Sequence, residues 1–424
     1  MSEGRVVRRM KTGEPKAASA HTLRLVGVSG AGTLMAGEMS RLVRRAHDDV
    51  WVPRPDKSEP GAVVYPFDER MACVAGLYHR TSARVLWQVL SSRAKRLEPL
   101  YAELRAQMEQ QTEAWYWPGA SISVTAPAVR EFAAGERQVV GTVKNALIDG
   151  AGARGVALRV DPERPDVSID VRLVNEQIFV SVDLAGRPMH QRGYRQSAGV
   201  APLREDLAAL MLMALRFDGR HECLVDPMAG SATIGIEAAA MASGRPIWCS
   251  GRSPAGMKLP GLRDYWPSKS APLFADTQAA VLVNELDSEL VAIGRRNAKT
   301  AGVEPQLEVR AGDFRSLERE QVFDFCERSG RSSERGLILC NPPYGARLGV
   351  LDESSASSSG RVSDPRALRR LYAELGRWCR QFRGWRAGFL VANPDFESSF
   401  GLQPVSKRPM RNGPLRAVLY AYEL

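Results

Sequence analysis

The chain has 424 residues and a net charge of +10, from 58 Lys and Arg against 48 Asp and Glu. This length predicts two or three domains, each with its own core, and the positive charge favours a polyanionic partner. Six scattered cysteines without a C-x-x-C pair, and five histidines without metal-ligand spacing, argue against a disulfide framework and a metal site. No apolar run is long enough to cross a membrane and no apolar signal core begins the chain, so we expect a cytoplasmic protein.

The first half opens with a basic, polar stretch at residues 1–20 that predicts a flexible tail. Residues 23–28 alternate as a strand, and a helix follows. Gly30 and Gly32 have the first two spacings of a dinucleotide-binding loop, but Met35 stands in the place of the third glycine. A plain strand-turn-helix is therefore favoured.

The rest of the first half predicts a mixed α+β unit. Its predicted elements are a strand at residues 63–65, a helix carrying Leu77, Val85, Leu86 and Val89, a helix at 97–111, a strand at 122–125, a helix at 139–148 and a hairpin at 167–173 and 178–184. We expect the aromatic run at residues 115–117 to pack under the sheet rather than to stack on RNA. Five arginines nevertheless favour an RNA-binding platform here: Arg130, Arg137, Arg154, Arg159 and Arg164.

The second half contains a strand, a loop of small residues and the start of a helix at residues 223–233. Small residues allow a ligand to approach the backbone closely, and a helix N-terminus presents free N–H groups. A second buried strand at residues 280–284 ends in Glu285, with Asp287 two residues on. A carboxylate at such a strand end can accept hydrogen bonds from both hydroxyls of a ribose.

The spacing between these two features is unusually long. Gly230 and Glu285 are 55 residues apart, whereas a minimal βαβ fingerprint has about 20. We attribute the difference to an insertion at residues 244–279. A third strand at residues 307–310 precedes Asp313, which the spacing alone would equally assign to capping the next helix.

The most informative stretch is the apolar run at residues 337–340, which meets Asn341, Pro342, Pro343 and Tyr344. This sequence predicts a buried parallel strand that stops abruptly at its carboxyl end, where open α/β sheets bind ligands. The Asn341 amide oxygen and the Pro342 carbonyl are two adjacent acceptors for the protons of an exocyclic amine, and Tyr344 offers a stacking face. A strand with a proline-rich turn is the structural alternative.

The chain after this motif predicts a mobile loop and the end of the sheet. Residues 352–364 are serine-rich and are expected to be a flexible loop, either a lid or a surface insertion. A helix at residues 365–382, a strand at 387–391 and a final pair of strands follow.

The tetrapeptide at residues 341–344 resembles the motif of amino-group methyltransferases, which act on adenine N6, guanine N2 or glutamine side chains. More specifically, residues 190–195 and 201–209 resemble the junction of THUMP-domain rRNA guanine-N2 methyltransferases. Residues 144–149 resemble a helix of that family, with Asn145 in place of its usual Asp. The likeness runs from about Leu23 to the C-terminus. It includes the first S-adenosylmethionine motif, where Ala232 replaces the usual second glycine, and an ending matched by Lys407 and residues 412–415.

This resemblance implies an α/β protein with a Rossmann-like class I methyltransferase domain at residues 189–424 and a mostly parallel seven-stranded sheet. It implies a ferredoxin-like segment at residues 21–95 and a THUMP RNA-binding module at 96–188. The family's larger members carry a second methyltransferase domain, so we expect any second modification to belong to another protein.

The resemblance also implies the site residues. The catalytic residues would be Asn341, Pro342 and Tyr344. S-adenosylmethionine would be bound by Asp226, Met228, Gly230, Thr233, Glu285, Asp313, Phe314 and Asn341, with Asp287 as the alternative ribose acid to Glu285. RNA would be contacted by Lys144, Arg192, Tyr194, Arg195, Arg347 and Lys407. For Arg192, Arg195 and Arg204, bracing the domain interface is the alternative to holding a phosphate.

The expected reaction is methylation of the exocyclic N2 of a guanosine in 23S rRNA, without a metal and away from membranes. Methylation of tRNA guanosine is the nearest alternative, because THUMP modules also serve tRNA enzymes. Adenine-N6 methylation of DNA gives the THUMP-like half no role. A non-catalytic RNA-binding protein with a vestigial cofactor fold would be free to lose Asp226, Gly230, Glu285, Asp313 and Asn341, which are all present.

Overall fold

The computed structural model describes residues 21–111, 114–129, 131–195, 203–344, 364–412 and 415–424. The expected N-terminal tail, Arg130, Arg347 and nearly all of the serine-rich loop lie outside these ranges. The first seven described strands form one sheet with the order β2-β1-β3-β7-β6-β4-β5. These strands are β1 (Thr22–Gly27), β2 (Ala62–Pro66), β3 (Ser82–Ser92), β4 (Ser121–Ala128), β5 (Arg159–Val160), β6 (Val167–Val174) and β7 (Gln177–Asp183), and the helices between them are α1 (Gly32–Ala46), α2 (Glu69–Tyr78), α3 (Leu97–Gln110) and α4 (Glu136–Ala153).

This sheet is continuous across the two segments that the sequence separates at residue 95. Strand β3 pairs antiparallel with β7, so β1 to β3 and β4 to β7 share one ladder of backbone hydrogen bonds. Trp115 and Tyr116 are fully buried, with their rings edge to face at 4.8 Å. The aromatic run therefore packs in the core, as predicted.

One predicted helix is wrong. Helix α2 ends at Tyr78, and Val85, Leu86 and Val89 lie on β3. Strand β3 pairs with β1 on one side and β7 on the other, and both of its faces are largely buried. Its apolar residues therefore do not alternate, and their spacing imitates the period of a helix.

The second half forms a separate seven-stranded sheet with the order β10-β9-β8-β11-β12-β14-β13. Its strands are β8 (Cys223–Asp226), β9 (Ala280–Glu285), β10 (Leu307–Ala311), β11 (Gly336–Cys340), β12 (Arg386–Val391), β13 (Ser406–Asn412) and β14 (Leu415–Glu423), and its helices are α5 (Glu205–Ala214), α6 (Thr233–Ala242), α7 (Ser288–Thr300), α8 (Arg319–Arg328), α9 (Pro365–Cys379) and α10 (Phe396–Phe400). The first five strands in this order of the sheet are parallel, and β14 is antiparallel to both β12 and β13. The predicted sheet and its terminal hairpin are thus confirmed.

The order of the second sheet reverses between β8 and β11. After β8 the chain adds β9 and β10 on one side, then crosses back to place β11 and β12 on the other. The connections that follow β8 and β11 diverge there, which leaves a crevice beyond the carboxyl ends of these two strands. Both sequence motifs, at residues 226–233 and 341–344, lie at this edge.

The two halves meet at a buried ionic network centred on Glu237 of α6, which is fully buried. Arg80, which precedes β3, places Nη1 2.8 Å from the Glu237 carboxylate and donates from Nη2 to the Arg245 carbonyl at 2.7 Å. Tyr194 donates to Glu237 at 3.3 Å, and the Arg192 Nε lies 3.5 Å from the same carboxylate. A charge at this depth is tolerated only with such partners.

The RNA contacts predicted for Arg192 and Tyr194 are wrong, because both side chains are buried in this network. Arg192 is 1% exposed and Tyr194 is 2% exposed. The two terminal nitrogens of Arg192 donate to the carbonyls of Met189 and Arg80, at 2.5 and 2.6 Å. Both residues therefore brace the interface between the halves, which is the alternative that the sequence left open for Arg192.

None of the helices in the described part of the chain combines the length with the apolar character that crossing a bilayer requires. Within the same residues, no group of three or more His, Cys, Asp and Glu side chains is placed to hold a metal ion.

A glycine on α9 provides a test of the packing. A Cβ on Gly376 would overlap the carbonyl oxygen of Phe400 in α10. We expect Gly376→Ala to lower the free energy of unfolding by about 1–3 kcal/mol, as overpacking does. Gly37 of α1 is exposed and a Cβ there would meet no atom within 4 Å, so Gly37→Ala should raise stability by about 0.5–1 kcal/mol. Denaturant titration of both variants checks this, and a neutral Gly376→Ala would contradict the packing of α10 on α9.

Candidate active site

Strand β11 carries the central residues of the site. Leu337, Ile338, Leu339 and Cys340 are fully buried between β8 and β12, which confirms the predicted strand. The side-chain oxygen of Asn341, directly after the strand, is buried and accepts no hydrogen bond from any described residue. An unpaired buried acceptor costs about 1–3 kcal/mol. Such an acceptor at a ligand-binding edge indicates a place for a donor from outside the chain.

The residues after Asn341 are fixed by two hydrogen bonds from distant parts of the chain. The hydroxyl of Tyr372 on α9 donates to the Pro343 carbonyl at 2.7 Å, and the side-chain amide of Asn412 at the end of β13 donates to the Tyr344 hydroxyl at 3.2 Å. Pro342 is buried and Tyr344 is half-buried. Sequence reasoning gave Tyr372 no role and noted Asn412 only as part of the family-like ending.

The loop between β8 and α6 is anchored by its neighbours. The Gly230 N–H donates to Glu285 Oε2 at 2.7 Å, and the Ala229 N–H donates to the Asn284 carbonyl at 2.9 Å. Gly230 has φ of +55°, and a Cβ there would meet no atom within 4 Å. The loop therefore presents open space beside its backbone, as a ligand-binding loop requires.

Ala232, which replaces a glycine of the family-like pattern, has an unusual backbone conformation. It has φ of +64° and ψ of 26°, a left-handed conformation at the N-cap of α6. Glycine adopts this conformation without strain, whereas alanine bears a cost of about 1–2 kcal/mol. The loop keeps the fold of the motif despite the substitution.

The two candidate ribose acids differ in what they already bind. The Asp287 carboxylate caps α7, accepting from the N–H groups of Glu289 at 2.8 Å and Leu290 at 3.4 Å. Glu285 lies at the end of β9 against Gly230 and accepts from the Asp287 N–H at 3.0 Å. Glu285 is thus the carboxylate that touches the glycine loop, and Asp287 is a helix cap.

Asn284 is a site residue that sequence reasoning missed. It is 4% exposed, and its side-chain amide donates to the carbonyls of Gly312 at 2.8 Å and Pro227 at 3.3 Å. It therefore ties the loops that follow β8 and β10 to the end of β9. An amide inside an otherwise apolar strand was the available signal, because a buried polar side chain needs partners.

Asp313 and Phe314 are already engaged by the protein. Asp313 accepts from the Arg315 N–H at 2.9 Å and pairs with the Arg315 guanidinium at 2.6 Å, which supports the capping alternative. Phe314 is 4% exposed and packs edge to face on Trp378 at 6.1 Å. Its ring packs mainly in the core, and its place against an adenine ring stays a prediction.

Asp226 is a buried structural carboxyl. It is 1% exposed and accepts from the Met228 N–H at 3.3 Å. Burial raises the pKa of Asp226 to about 8, although hydrogen bonds from the Met228 N–H and the Cys340 thiol act in the opposite direction. Its part in the site is to shape the loop that begins at Pro227.

The remaining predicted RNA contacts divide into two groups. Arg195 donates to the Leu203 carbonyl at 2.8 Å and to the Thr233 hydroxyl at 2.9 Å, so it braces the first residue of α6. Thr233 itself is buried. Lys144 is half-buried on α4, and Lys407 is exposed with its amine 2.6 Å from Glu397. Neither lysine is fully buried.

Comparison with known proteins finds a family match within the second half of the chain. Residues 192–357 match the family described as UPF0020: RMKL-like, methyltransferase domain. A ribosomal RNA large subunit methyltransferase K/L from Legionella pneumophila subsp. pneumophila strain Philadelphia 1 is 34% identical over 298 residues, covering 66% of this chain and 38% of that protein. The chain thus matches little more than a third of that relative's length.

Two further relatives match along most of their length. A putative RNA methyltransferase, YpsC, from Bacillus subtilis strain 168 is 25% identical over 86% of this chain and 89% of its own. The structure of SMU.472, a putative methyltransferase complexed with SAH, covers 95% of this chain and 97% of its own at 22% identity, with a TM-score of 0.72. This likeness establishes a shared fold across both halves.

The raised pKa of Asp226 has a testable consequence for stability. A carboxyl whose pKa is about 8 when folded and about 3.9 when unfolded binds its proton more tightly in the folded state. The stability that it contributes is complete below the unfolded pKa and is lost as pH rises through the folded pKa. Asp226→Asn removes this dependence. The free energy of unfolding of the parent chain minus that of Asp226→Asn should therefore fall as pH rises from about 4 to 8.

Asp166 provides the control, because hydrogen bonds from Ser121 and Lys258 lower the pKa of that carboxyl against the effect of burial. Its contribution is lost at acid pH instead, so the corresponding difference for Asp166→Asn should be level across the same pH range. A level difference for Asp226→Asn would show that Asp226 is ionised in the fold.

Proposed function

We propose that this chain, whose residues 192–357 match the family described as UPF0020: RMKL-like, methyltransferase domain, transfers a methyl group from S-adenosylmethionine to the exocyclic N2 of a guanosine in 23S ribosomal RNA. The observation that carries the proposal is the unpaired, buried side-chain oxygen of Asn341 at the carboxyl end of β11. The large-subunit ribosomal RNA substrate is suggested by the name of the Legionella relative. Guanine N2 follows from the resemblance of the junction at residues 190–209.

Asn341 and Tyr344 bind the base in this proposal. The Asn341 oxygen and the Pro342 carbonyl accept the two protons of the guanine amine, while the Tyr344 ring stacks on the base. The lone pair of that amine is delocalised into the ring, and two acceptors favour a pyramidal nitrogen whose lone pair can attack. Asn412 and Tyr372 hold the motif in place through Tyr344 and Pro343. Because a base inside a helix cannot reach this edge, the guanosine must be unpaired or flipped out.

The cofactor lies against the loop between β8 and α6 in this proposal. The open space at Gly230 and the adjacent Glu285 carboxylate suit a ribose whose hydroxyls donate to Glu285. The complex of SMU.472 with SAH, in a protein of the same fold, supports S-adenosylmethionine as the cofactor. S-adenosylmethionine supplies, when bound, an electrophilic methyl group on a positively charged sulfur.

The residues of this chain contribute alignment rather than strong acid-base catalysis. An in-line displacement depends mainly on the geometry of the attacking nitrogen and the methyl group. The two loops that would set this geometry are tied together by Asn284 and Glu285. Once alkylated, the amine is acidic enough to lose its proton to water.

We assign RNA capture to the first half of the chain, with a ferredoxin-like segment at residues 21–95 and a THUMP module at 96–188. The net charge of +10 supports a polyanionic partner. Lys144 and Lys407 are the described residues that we keep as RNA contacts, and Arg347 is a further one outside the described residues. We place the reaction in the cytoplasm.

The proposal is tested by methyl transfer from labelled S-adenosylmethionine to deproteinised 23S rRNA and to bulk tRNA, both from a strain lacking the protein. Nucleoside mass spectrometry then identifies the product. We expect N2-methylguanosine in the 23S fraction alone. Label only in tRNA would overturn the ribosomal substrate, N6-methyladenosine would overturn the base, and label in neither fraction would overturn the reaction on mature RNA.

Glu285 and Asp287 form a matched pair for the cofactor half. Glu285→Ala removes an acceptor that would bind both ribose hydroxyls, and hydrogen bonds to a charged group contribute about 1.5–3 kcal/mol. We expect the Kd for S-adenosylmethionine to rise about ten- to a hundredfold. Asp287→Ala removes a helix cap, so it should lower stability by about 1 kcal/mol and leave the Kd within about twofold. Calorimetric titration separates the two, and the reverse ranking would make Asp287 the ribose acid.

A further inference from the structure

The terminal hairpin of the second sheet carries an unusual concentration of positive charge. Residues 406–416, which run from the first residue of β13 to the second residue of β14, contain Lys407, Arg408, Arg411 and Arg416 and no Asp or Glu. Lys407 is paired with Glu397. Arg408, Arg411 and Arg416 are exposed, and they make no ion pair with any described residue.

Two of these arginines stand directly opposite each other. Arg411 on β13 pairs in register with Arg416 on β14. Residues directly opposite across an antiparallel ladder have Cβ atoms about 4.5–5.5 Å apart, and like charges at this separation are destabilising. Two exposed guanidinium groups without a described carboxylate partner are therefore available to bind an anion.

Protection of a sheet edge does not account for this pair. Edge strands often carry Lys, Arg or Pro to prevent pairing with another chain, and β13 is an edge strand with Lys407, Arg408 and Pro409. The pairing of β14 with β12 ends at Val418, so Arg416 lies on a two-stranded extension beyond β12. A charge on each strand would protect these two edges, but protection does not require the two charges to stand directly opposite each other.

The pair lies at the same end of the sheet as Asn341. Asn412, the residue after Arg411, donates its side-chain amide to the Tyr344 hydroxyl. In addition, Val418 of β14 pairs with Val391, the last residue of β12. Because β12 is parallel to β11, Arg416 projects about 7 Å beyond the carboxyl ends of these strands, at about 3.3 Å per residue.

We propose that Arg411 and Arg416 form a phosphate clamp that binds the sugar-phosphate backbone of the RNA strand beside the target guanosine. Each guanidinium presents several donors in a planar fork that fits phosphate oxygens, and two of them bind a phosphodiester from both sides. The anion removes the repulsion between the arginines. The clamp rests on the proposed function for its ligand class, and it orients the strand so that the flipped base meets Asn341 and Tyr344.

The test measures binding of a fluorescein-labelled, single-stranded oligoribonucleotide of about 12 residues with one central guanosine. The full chain is titrated at several KCl concentrations without S-adenosylmethionine. Each phosphate contact on a single strand contributes about 0.7 to the slope of log K against log salt. Because the clamp neutralises one phosphodiester, we expect Arg411→Gln/Arg416→Gln to lose about 0.7 of the parent slope. Arg416→Gln alone, which leaves Arg411 on that phosphate, should lose less.

Two controls separate a clamp from general charge. Arg411→Lys/Arg416→Lys retains both charges and should keep the salt slope while weakening binding, because lysine lacks the planar fork. Arg377→Gln/Arg383→Gln removes two exposed arginines near the far end of α9 and should keep the parent slope. An unchanged slope for Arg411→Gln/Arg416→Gln, or an equal loss in the Arg377→Gln/Arg383→Gln control, would overturn the clamp.

The binding assay also separates this proposal from the proposed function. A chain that binds the oligoribonucleotide with the expected slopes and methylates no RNA would support the clamp and contradict the transferase. A chain that methylates 23S rRNA while Arg411→Gln/Arg416→Gln keeps the parent slope would contradict the clamp alone. The affinity of each variant for S-adenosylmethionine serves as the measure of folding, since neither arginine touches the loop between β8 and α6.

Discussion

The site depends on one topological constraint, the reversal of strand order between β8 and β11. Because the chain leaves these neighbouring parallel strands in opposite directions, their carboxyl ends face an open crevice. Asp226 ends one strand and Asn341 follows the other, so the loop of small residues and the unpaired amide oxygen meet at the same edge. The contacts of Asn284, Glu285, Tyr372 and Asn412 then fix the loops around that crevice.

A second constraint couples this crevice to the first half of the chain. Glu237 lies on α6, the helix that starts at the glycine loop, and its buried carboxylate is held by Arg80 from the other half and by Arg192 and Tyr194 from the junction. Arg195 extends the contact to Thr233, the first residue of α6. A change in how the first half sits would therefore act on the helix that carries the cofactor loop. The buried charge network therefore has a functional role, the coupling of the two halves, which offsets the cost of burying its charges.

Sequence patterns correctly predicted those structural features that depend only on residues close together in the chain. The strand at 337–340 and the loop at 226–233 were predicted correctly because an apolar run, rigid prolines and small residues constrain the chain nearby. Burial and long-range pairing decided the rest. The assignment of β3 failed because its neighbours β1 and β7 come from distant segments, and the RNA contacts assigned to Arg192 and Tyr194 failed because charge and aromaticity do not reveal exposure. Asn284, Tyr372 and the opposition of Arg411 to Arg416 depend on pairings that no single segment of sequence contains.

The central claim is that the Asn341 oxygen binds the amine that becomes methylated. The most direct measurement compares Asn341→Ala with the parent chain in methyl transfer and in affinity for S-adenosylmethionine, with Asn145→Ala, an exposed amide on α4, as the control. The account predicts that transfer is abolished in Asn341→Ala while cofactor affinity stays nearly intact, and that Asn145→Ala keeps both. Full transfer by Asn341→Ala would contradict the account.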